Sequence, residues 1–304
     1  MTMKSRMSAI PLVLGTAQLA APYGIANKTG VPDERTVTEI VRTAWENQIV
    51  EFDTAQGYGD SEKCLGRALT RLGLTSSVRI ITKFHPGLDH RDGRALTEAL
   101  QSSAKLLNMP RLNCVLLHKE EMLDLWNLGL RDILVRFVRD GIVEKLGVSV
   151  YSPKRALEAI GTEGIDVVQL PTNILDRRFE RAGVFEEAAR CGKTVYVRSV
   201  FLQGLLLLKP DEVPPRLATA KPLIESLHAL AARLGMTQQE VALSYVKYAI
   251  PSAKIIIGAE LPSQIKENCD LWLNARHGDL IEQIRALFPA VEDAILDPFR
   301  WPSS

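Results

Sequence analysis

The sequence predicts an α/β fold of one architecture, a (β/α)8 TIM barrel. Three observations lead there. Eight short runs rich in Val, Ile and Leu recur along the chain, each is followed by a segment of helical periodicity, and no linker or composition break divides the 304 residues. Near-continuous apolar runs suit parallel strands buried on both faces, and their alternation with helices suits a closed barrel. A doubly wound open sheet is the rival, but no G-x-G-x-x-G follows the first run. The expectation is a single barrel domain over residues 1–304.

The runs begin with "PLVLGTA" at Pro11, "IVEFDTA" at Ile49, "VRIITKF" at Val78 and "LNCVLLHK" at Leu112. They continue with "VEKLGVSV" at Val143, "IDVVQLPTN" at Ile165, "TVYVRSV" at Thr194 and "AKIIIGA" at Ala253. Between the first two, "DERTVTEIVRTAWENQ" from Asp33 places Val37, Ile40, Val41 and Ala44 on one helical face. After the second, Asp60-Ser61 reads as a helix start. "GRALTEALQSSAKLLN" from Gly93 aligns Leu96, Leu100, Ala104 and Leu107, and "SLHALAARLG" from Ser226 ends on Gly235, a natural helix stop.

Apolar residues make up 46% and charged residues 24%, a globular balance with a sizeable core. Net charge is +1, from 37 basic and 36 acidic residues, and no basic cluster with interleaved aromatics is present. Nucleic acid and anionic membranes are therefore not expected partners. Cys64, Cys114, Cys191 and Cys269 are scattered and form no C-x-x-C pair, so reduced thiols are expected and a zinc site is not. His85 and His90 lack a ligand spacing, and His228 and His277 lack a motif. At the start, Lys4 and Arg6 precede apolar residues as in a secretory leader, but Pro11, Gly15 and Gln18 interrupt the run. No stretch approaches the ~20 apolar residues of a membrane span. The expected location is the cytoplasm.

In such barrels chemistry sits at the carboxyl ends of the strands. Asp53 ends the second run, Tyr58 lies on the loop beyond it, Lys83 closes the third and His118 closes the fourth. Each has an ordinary explanation alone: a turn-forming Asp, a Lys reaching water, a hydrogen-bonded His, a Tyr packed over the mouth. Together, on neighbouring strands, they form an apparatus for protonating a carbonyl oxygen. An ammonium beside a phenol favours the phenolate, an Asp keeps that ammonium charged, and a His can hydrogen-bond the oxygen. None of them supplies a hydride, so a reduction needs a cofactor.

The chain resembles the aldo-keto reductases along almost its whole length. "LGTAQ", "EFDTAQGYGDSE", "IITKF", "LLH", "LGVSVYSP", "VVQLPTN" and "IIIGAELPSQIKEN" fall in that family's order and spacing. The resemblance implies a catalytic tetrad. Tyr58 would be the general acid, or the base in the oxidative direction; Lys83 would make it acidic, Asp53 would pair with Lys83, and His118 would orient the carbonyl. The glycines around Tyr58 would give it room.

The resemblance also implies NADP(H) or NAD(H) across the barrel top. Gly15 and Thr16 would line the floor, Ser149 and Gln169 would hold the carboxamide, and Ser199, Phe201, Leu202, Gln203 and Gly204 would strap the pyrophosphate. Glu267 and Asn268 would meet the adenine, and free amides at the helix start near Pro262 suit a phosphate. Two departures stand out. Arg198 occupies a position where many members stack a tyrosine on the nicotinamide, so it either stacks there or pairs with an acid elsewhere. Gly258 and Gln264 fall where NADPH-specific members place cations, and Glu260 adds a negative charge nearby. NAD(H) or dual use is thus open, while the family's habit tips the expectation to NADP(H).

Tyr23 is expected as a wall of the substrate pocket. Asp176, Arg177 or Arg178 would meet a polar substrate or else form ion pairs, and Phe299 and Trp301 would cover the mouth or else anchor the tail. The expected activity is reduction of an aldehyde, ketone or sugar carbonyl by a monomer or small homo-oligomer. Alternatives are an aldose dehydrogenase running oxidatively, Schiff-base chemistry at Lys83, and a cofactor-binding regulatory protein with little turnover.

Overall fold

In a computed structural model that describes residues 9–302, eight parallel strands close into a ring in chain order, the last beside the first. They are β1 (Leu12–Gly15), β2 (Glu51–Asp53), β3 (Arg79–Lys83), β4 (Leu112–Leu117), β5 (Val143–Ser149), β6 (Val167–Pro171), β7 (Thr194–Arg198) and β8 (Lys254–Gly258). Every one falls within an apolar run identified from sequence. Lys4 and Arg6 of the leader-like start lie outside the described residues. No helix among the described residues is long and apolar enough to cross a membrane.

The helices are α1 (Glu34–Glu46), α2 (Ser61–Leu72), α3 (Gly93–Leu107), α4 (Leu130–Arg139), α5 (Pro153–Gly161) and α6 (Arg178–Arg181). They continue with α7 (Val184–Arg190), α8 (Lys221–Leu234), α9 (Gln238–Ala249), α10 (Pro262–Leu273), α11 (Leu280–Leu287) and α12 (Asp293–Leu296). The Asp33 carboxylate caps α1 by accepting the Thr36 amide at 2.7 Å, and α1 buries Val37, Ile40, Val41 and Ala44, the face its spacing dictates. Asp92 caps α3, whose end is Asn108 in the left-handed region.

One local expectation differs from the structure. α8 starts at Lys221, not Ser226, because Pro222 suits a first turn and Ile224 adds a further turn to the stripe of Leu227 and Leu230. α2 does start at Ser61, but Asp60 does not cap it; Asp60 lies 3.6 Å from Lys63 instead. The Ser61 hydroxyl donates to the Thr16 carbonyl at 2.9 Å, tying the helix start to the end of β1.

The apolar core has two layers. The larger packs helices on the outer face of the strands, and a smaller one of Val13, Ile81, Cys114, Leu116, Val167, Tyr196 and Ile256 fills the ring. Side chains alternate along a strand. Two residues beyond the inward Val13, Ile81, Leu116, Val167, Tyr196 and Ile256 come Gly15, Lys83, His118, Gln169, Arg198 and Gly258. Asp53 joins them, because Glu51 two residues earlier points inward to Tyr196. Strand parity thus gathers the polar strand-end residues into one layer above the apolar plug.

Candidate active site

Lys83 sits at the centre of that layer and is 1% exposed. Its ammonium donates to both Asp53 carboxylate oxygens at 2.8 Å and to the Thr54 carbonyl at 3.0 Å. Burial works to lower its pKa, but the Asp53 carboxylate and then Tyr58 together outweigh burial, so the lysine is held above its ordinary range. The same ammonium lies 5.0 Å from the Tyr58 ring centroid. Tyr58 stands on a tight turn in which its amide donates to the Ala55 carbonyl at 3.1 Å. Gly59, at φ 56°, supplies the left-handed residue of the next turn, in which the Ser61 amide donates to the Tyr58 carbonyl at 3.1 Å. At Gly57 a Cβ would meet Pro86 and His118 at 3.4 and 3.5 Å, ordinary contact, so room for Tyr58 is not what that glycine provides.

His118 packs edge-on to Tyr58 with ring centroids 5.8 Å apart. Burial first, and then the Lys83 ammonium, push its pKa from 6.5 down to about 4. The imidazole is therefore neutral near pH 7, and its Nδ1 is buried without a hydrogen-bond partner. A neutral ring keeps one N–H to offer an oxygen acceptor.

From Asp53 and Tyr58 a cavity of about 240 Å³ runs outward to Glu267 and Asn268 on α10. Gly15 and Thr16 line its floor, Arg198, Ser199, Phe201, Gln203 and Gly204 one wall, and Gly258 and Gln264 its far part, with Tyr23 near the tetrad end. Ser149 and Gln169 lie deeper, opposite each other in β5 and β6. The Gln169 amide nitrogen donates to Asp53 at 2.7 Å, while its carbonyl oxygen is buried with no partner, an unmet acceptor of the kind a carboxamide N–H satisfies. Leu202, expected beside the pyrophosphate, is instead wholly buried in the core and does not line the cavity.

The wall at residues 199–204 is strained. Ser199, Leu202 and Gln203 have φ of 61°, 46° and 53°, where non-glycine residues cost about 1–3 kcal/mol each. The β1–α1 loop holds it in place: the Ile25 amide donates to the Gln203 carbonyl at 2.8 Å, and Ala26 packs against Gly204. Across the cavity the same loop reaches Glu260, with Gln18 donating to one carboxylate oxygen at 3.3 Å and Thr29 to the other at 3.1 Å. A Cβ at Gly258 would collide with the Gln18 carboxamide, so that glycine makes room for the crossing loop. Just before Pro262, Gln264 Oε1 accepts the amides of Glu260 at 2.7 Å and Leu261 at 3.1 Å.

At the substrate end, Arg198 stacks over the Tyr151 ring, its guanidinium carbon 4.3 Å from the centroid, and no carboxylate pairs with it among the described residues. Phe299 packs edge-on to Tyr151 with ring centroids 6.1 Å apart. Tyr23 is 42% exposed, yet loss of hydration, followed by Tyr58, holds its phenol above its ordinary range. Arg178 pairs with Asp176 at 2.9 Å and Asp293 at 3.0 Å, the ion-pair alternative. Arg177 is buried toward Tyr245, outside the cavity. Trp301 anchors the tail through its indole N–H to the Ile295 carbonyl at 3.0 Å. Sequence reasoning missed Tyr151, Gln18 and Thr29; each is polar in a loop, where polarity carries no signal, and each acts only through distant partners.

The aldo/keto reductase family profile matches residues 11–287. Aldo-keto reductase str7 of the fungus Strobilurus tenacellus is 24% identical over 275 residues, which is 84% of this chain and 81% of that one. Aldo-keto reductase YhdN of Bacillus subtilis is 24% identical over 194 residues, 60% of this chain and 57% of that one. Among solved structures, the holo form of aldo-keto reductase AKR11C1 from Bacillus halodurans superposes with a TM-score of 0.74 at 19% identity, covering 97% of both chains. A Pseudomonas aeruginosa protein assigned to the same reductases gives 0.67 at 22% identity, over 90% of this chain and 93% of its own. With its eight-stranded ring and a profile match over nearly its whole length, the chain belongs to the aldo/keto reductase family.

Proposed function

We propose that the protein is an NAD(P)H-dependent oxidoreductase that reduces an aldehyde, ketone or sugar carbonyl of a small molecule to the alcohol. The observation that carries this reading is a fully buried ammonium held by both oxygens of Asp53 and lying under Tyr58. A fixed positive charge beside a phenol stabilises the phenolate left when the proton departs, so Tyr58 is the proton donor. Asp53 and the Thr54 carbonyl fix the ammonium, and His118, uncharged, directs an N–H to the carbonyl oxygen. Run backwards, the same groups accept the proton from an alcohol. Gly15, Thr16 and the wall at residues 199–204 would hold the dinucleotide, with Ser149 and Gln169 at its carboxamide; the bound nicotinamide supplies the hydride.

Lys83 does not suit Schiff-base chemistry. That route needs a neutral amine, whereas this one is held charged and spends its three donors on Asp53 and Thr54. Tyr58→Phe tests the proposal. Turnover on a carbonyl panel should fall by about 10²–10⁴, with dinucleotide binding by fluorescence unchanged. Undiminished reduction would remove Tyr58 from the chemistry.

A further inference from the structure

We infer that the adenosine end of the cavity selects NAD(H) over NADP(H), with Glu260 as the selecting residue. The inference rests on the nicotinamide-dependent reading above, and it reverses the tilt toward NADP(H) that the family's habit gives. A dinucleotide with its redox ring at Tyr58 must place its other nucleoside at the far end of the cavity, toward Gln239, Gln264 and Asn268. The two cofactors differ there by one group, a phosphate on the adenosine ribose.

The charges lining the cavity decide which is welcome. Among the described residues its one cation is Arg198, at the tetrad end, while Glu260 and Glu267 line the far part. Glu260 is 6% exposed, and its carboxylate is held by the neutral donors Gln18 and Thr29, with no cation paired to it among the described residues. Lys28, beside Thr29, is turned to Glu212 at 3.2 Å. The two amides just before α10, of Glu260 and Leu261, are taken by Gln264. A dianionic phosphate thus meets two carboxylates and, among the described residues lining that end, no neutralising side chain. A buried carboxylate with spare lone pairs is instead an acceptor for a ribose hydroxyl, the group NAD(H) presents.

The test is a binding measurement. Intrinsic fluorescence of the wild-type protein is titrated with NADH and NADPH, and calorimetry compares AMP with adenosine 2′,5′-bisphosphate, fragments that do not reach the tetrad. NADH and AMP should bind at least about tenfold tighter than their 2′-phosphorylated counterparts, the equivalent of about 1.4 kcal/mol. Glu260→Gln keeps the hydrogen-bonding shape without the charge and should close that gap several-fold; Glu267→Gln should close it less. Equal or inverted preference in the wild type overturns the inference and leaves the reductase reading standing. An unchanged gap in both variants overturns the role of Glu260. Failure of every dinucleotide to bind overturns the reductase reading and this inference with it. If Glu260→Gln does not fold, the wild-type comparisons and Glu267→Gln still decide.

Discussion

Replacing Lys83 by Met separates what the buried ion pair does for the fold from what it does for chemistry. Asp53 is 4% exposed and receives 2.8 Å bonds from Lys83 at both oxygens. Once the ammonium is gone, only the Gln169 amide at 2.7 Å still serves that carboxylate. A buried charge stripped of its partner destabilises by about 3–5 kcal/mol. For a chain of 304 residues that lowers the melting temperature by about 5–8 °C. Adding Asp53→Asn removes the stranded charge while leaving an amide oxygen for Gln169. The double variant should therefore recover most of the lost stability, because neutral substitutes for a buried ion pair are often as stable as the pair itself. Turnover should be lost in both variants, by about 10²–10⁴. The assay is thermal and urea unfolding followed by circular dichroism, beside steady-state reduction. A single variant as stable as the wild type, or a double variant no more stable than the single one, would refute the reasoning.

Two further outcomes follow from groups the structure perturbs. His118 has a folded pKa of about 4 against an ordinary 6.5, so the unfolded chain binds more protons between those values. The stability it contributes is complete above pH 6.5 and is lost as pH falls toward 4; His118→Gln should flatten that slope in unfolding titrations, and an unchanged slope would contradict the buried neutral imidazole. Glu51 closes the opposite end of the ring, accepting from Lys254 at 2.6 Å, from Arg79 at 2.6 and 2.9 Å, and from Tyr196 at 2.8 Å. Burial works to raise its carboxyl, but Lys254 first and then Tyr196 and Arg79 hold it below its ordinary value, so its contribution is present above the ordinary carboxyl range and lost as pH falls. Glu51→Gln should lower stability by about 3 kcal/mol and leave kcat/KM unchanged, since barrel chemistry sits at the other face; a large loss of kcat/KM in folded protein would count against that division.

How much of this could be read in advance depends on whether a residue is an anomaly where it stands. Asp53, Lys83 and His118 interrupt or end runs of Val, Ile and Leu, and a polar group in a strand buried on both faces needs a partner or a task. Strand parity then forces them to one level of the ring, so apolar runs and residue type sufficed to bring them together. Gln18, Thr29 and Glu260 offer no such contrast, being polar residues in loops. Their meeting spans 242 and 231 positions of sequence and depends on β1 closing against β8, a fact of the whole ring that no local window holds. The same holds for Arg198: β7 delivers it to the right layer, but Tyr151, which fixes its guanidinium, comes from the loop after β5. Residues at strand ends are thus placed by local sequence, and contacts between crossing loops are placed only by the closed barrel. For that reason the cluster of Asp53, Lys83 and His118 could be assembled from the sequence, while the partners of Glu260 and Gln264 had no position until the ring was closed.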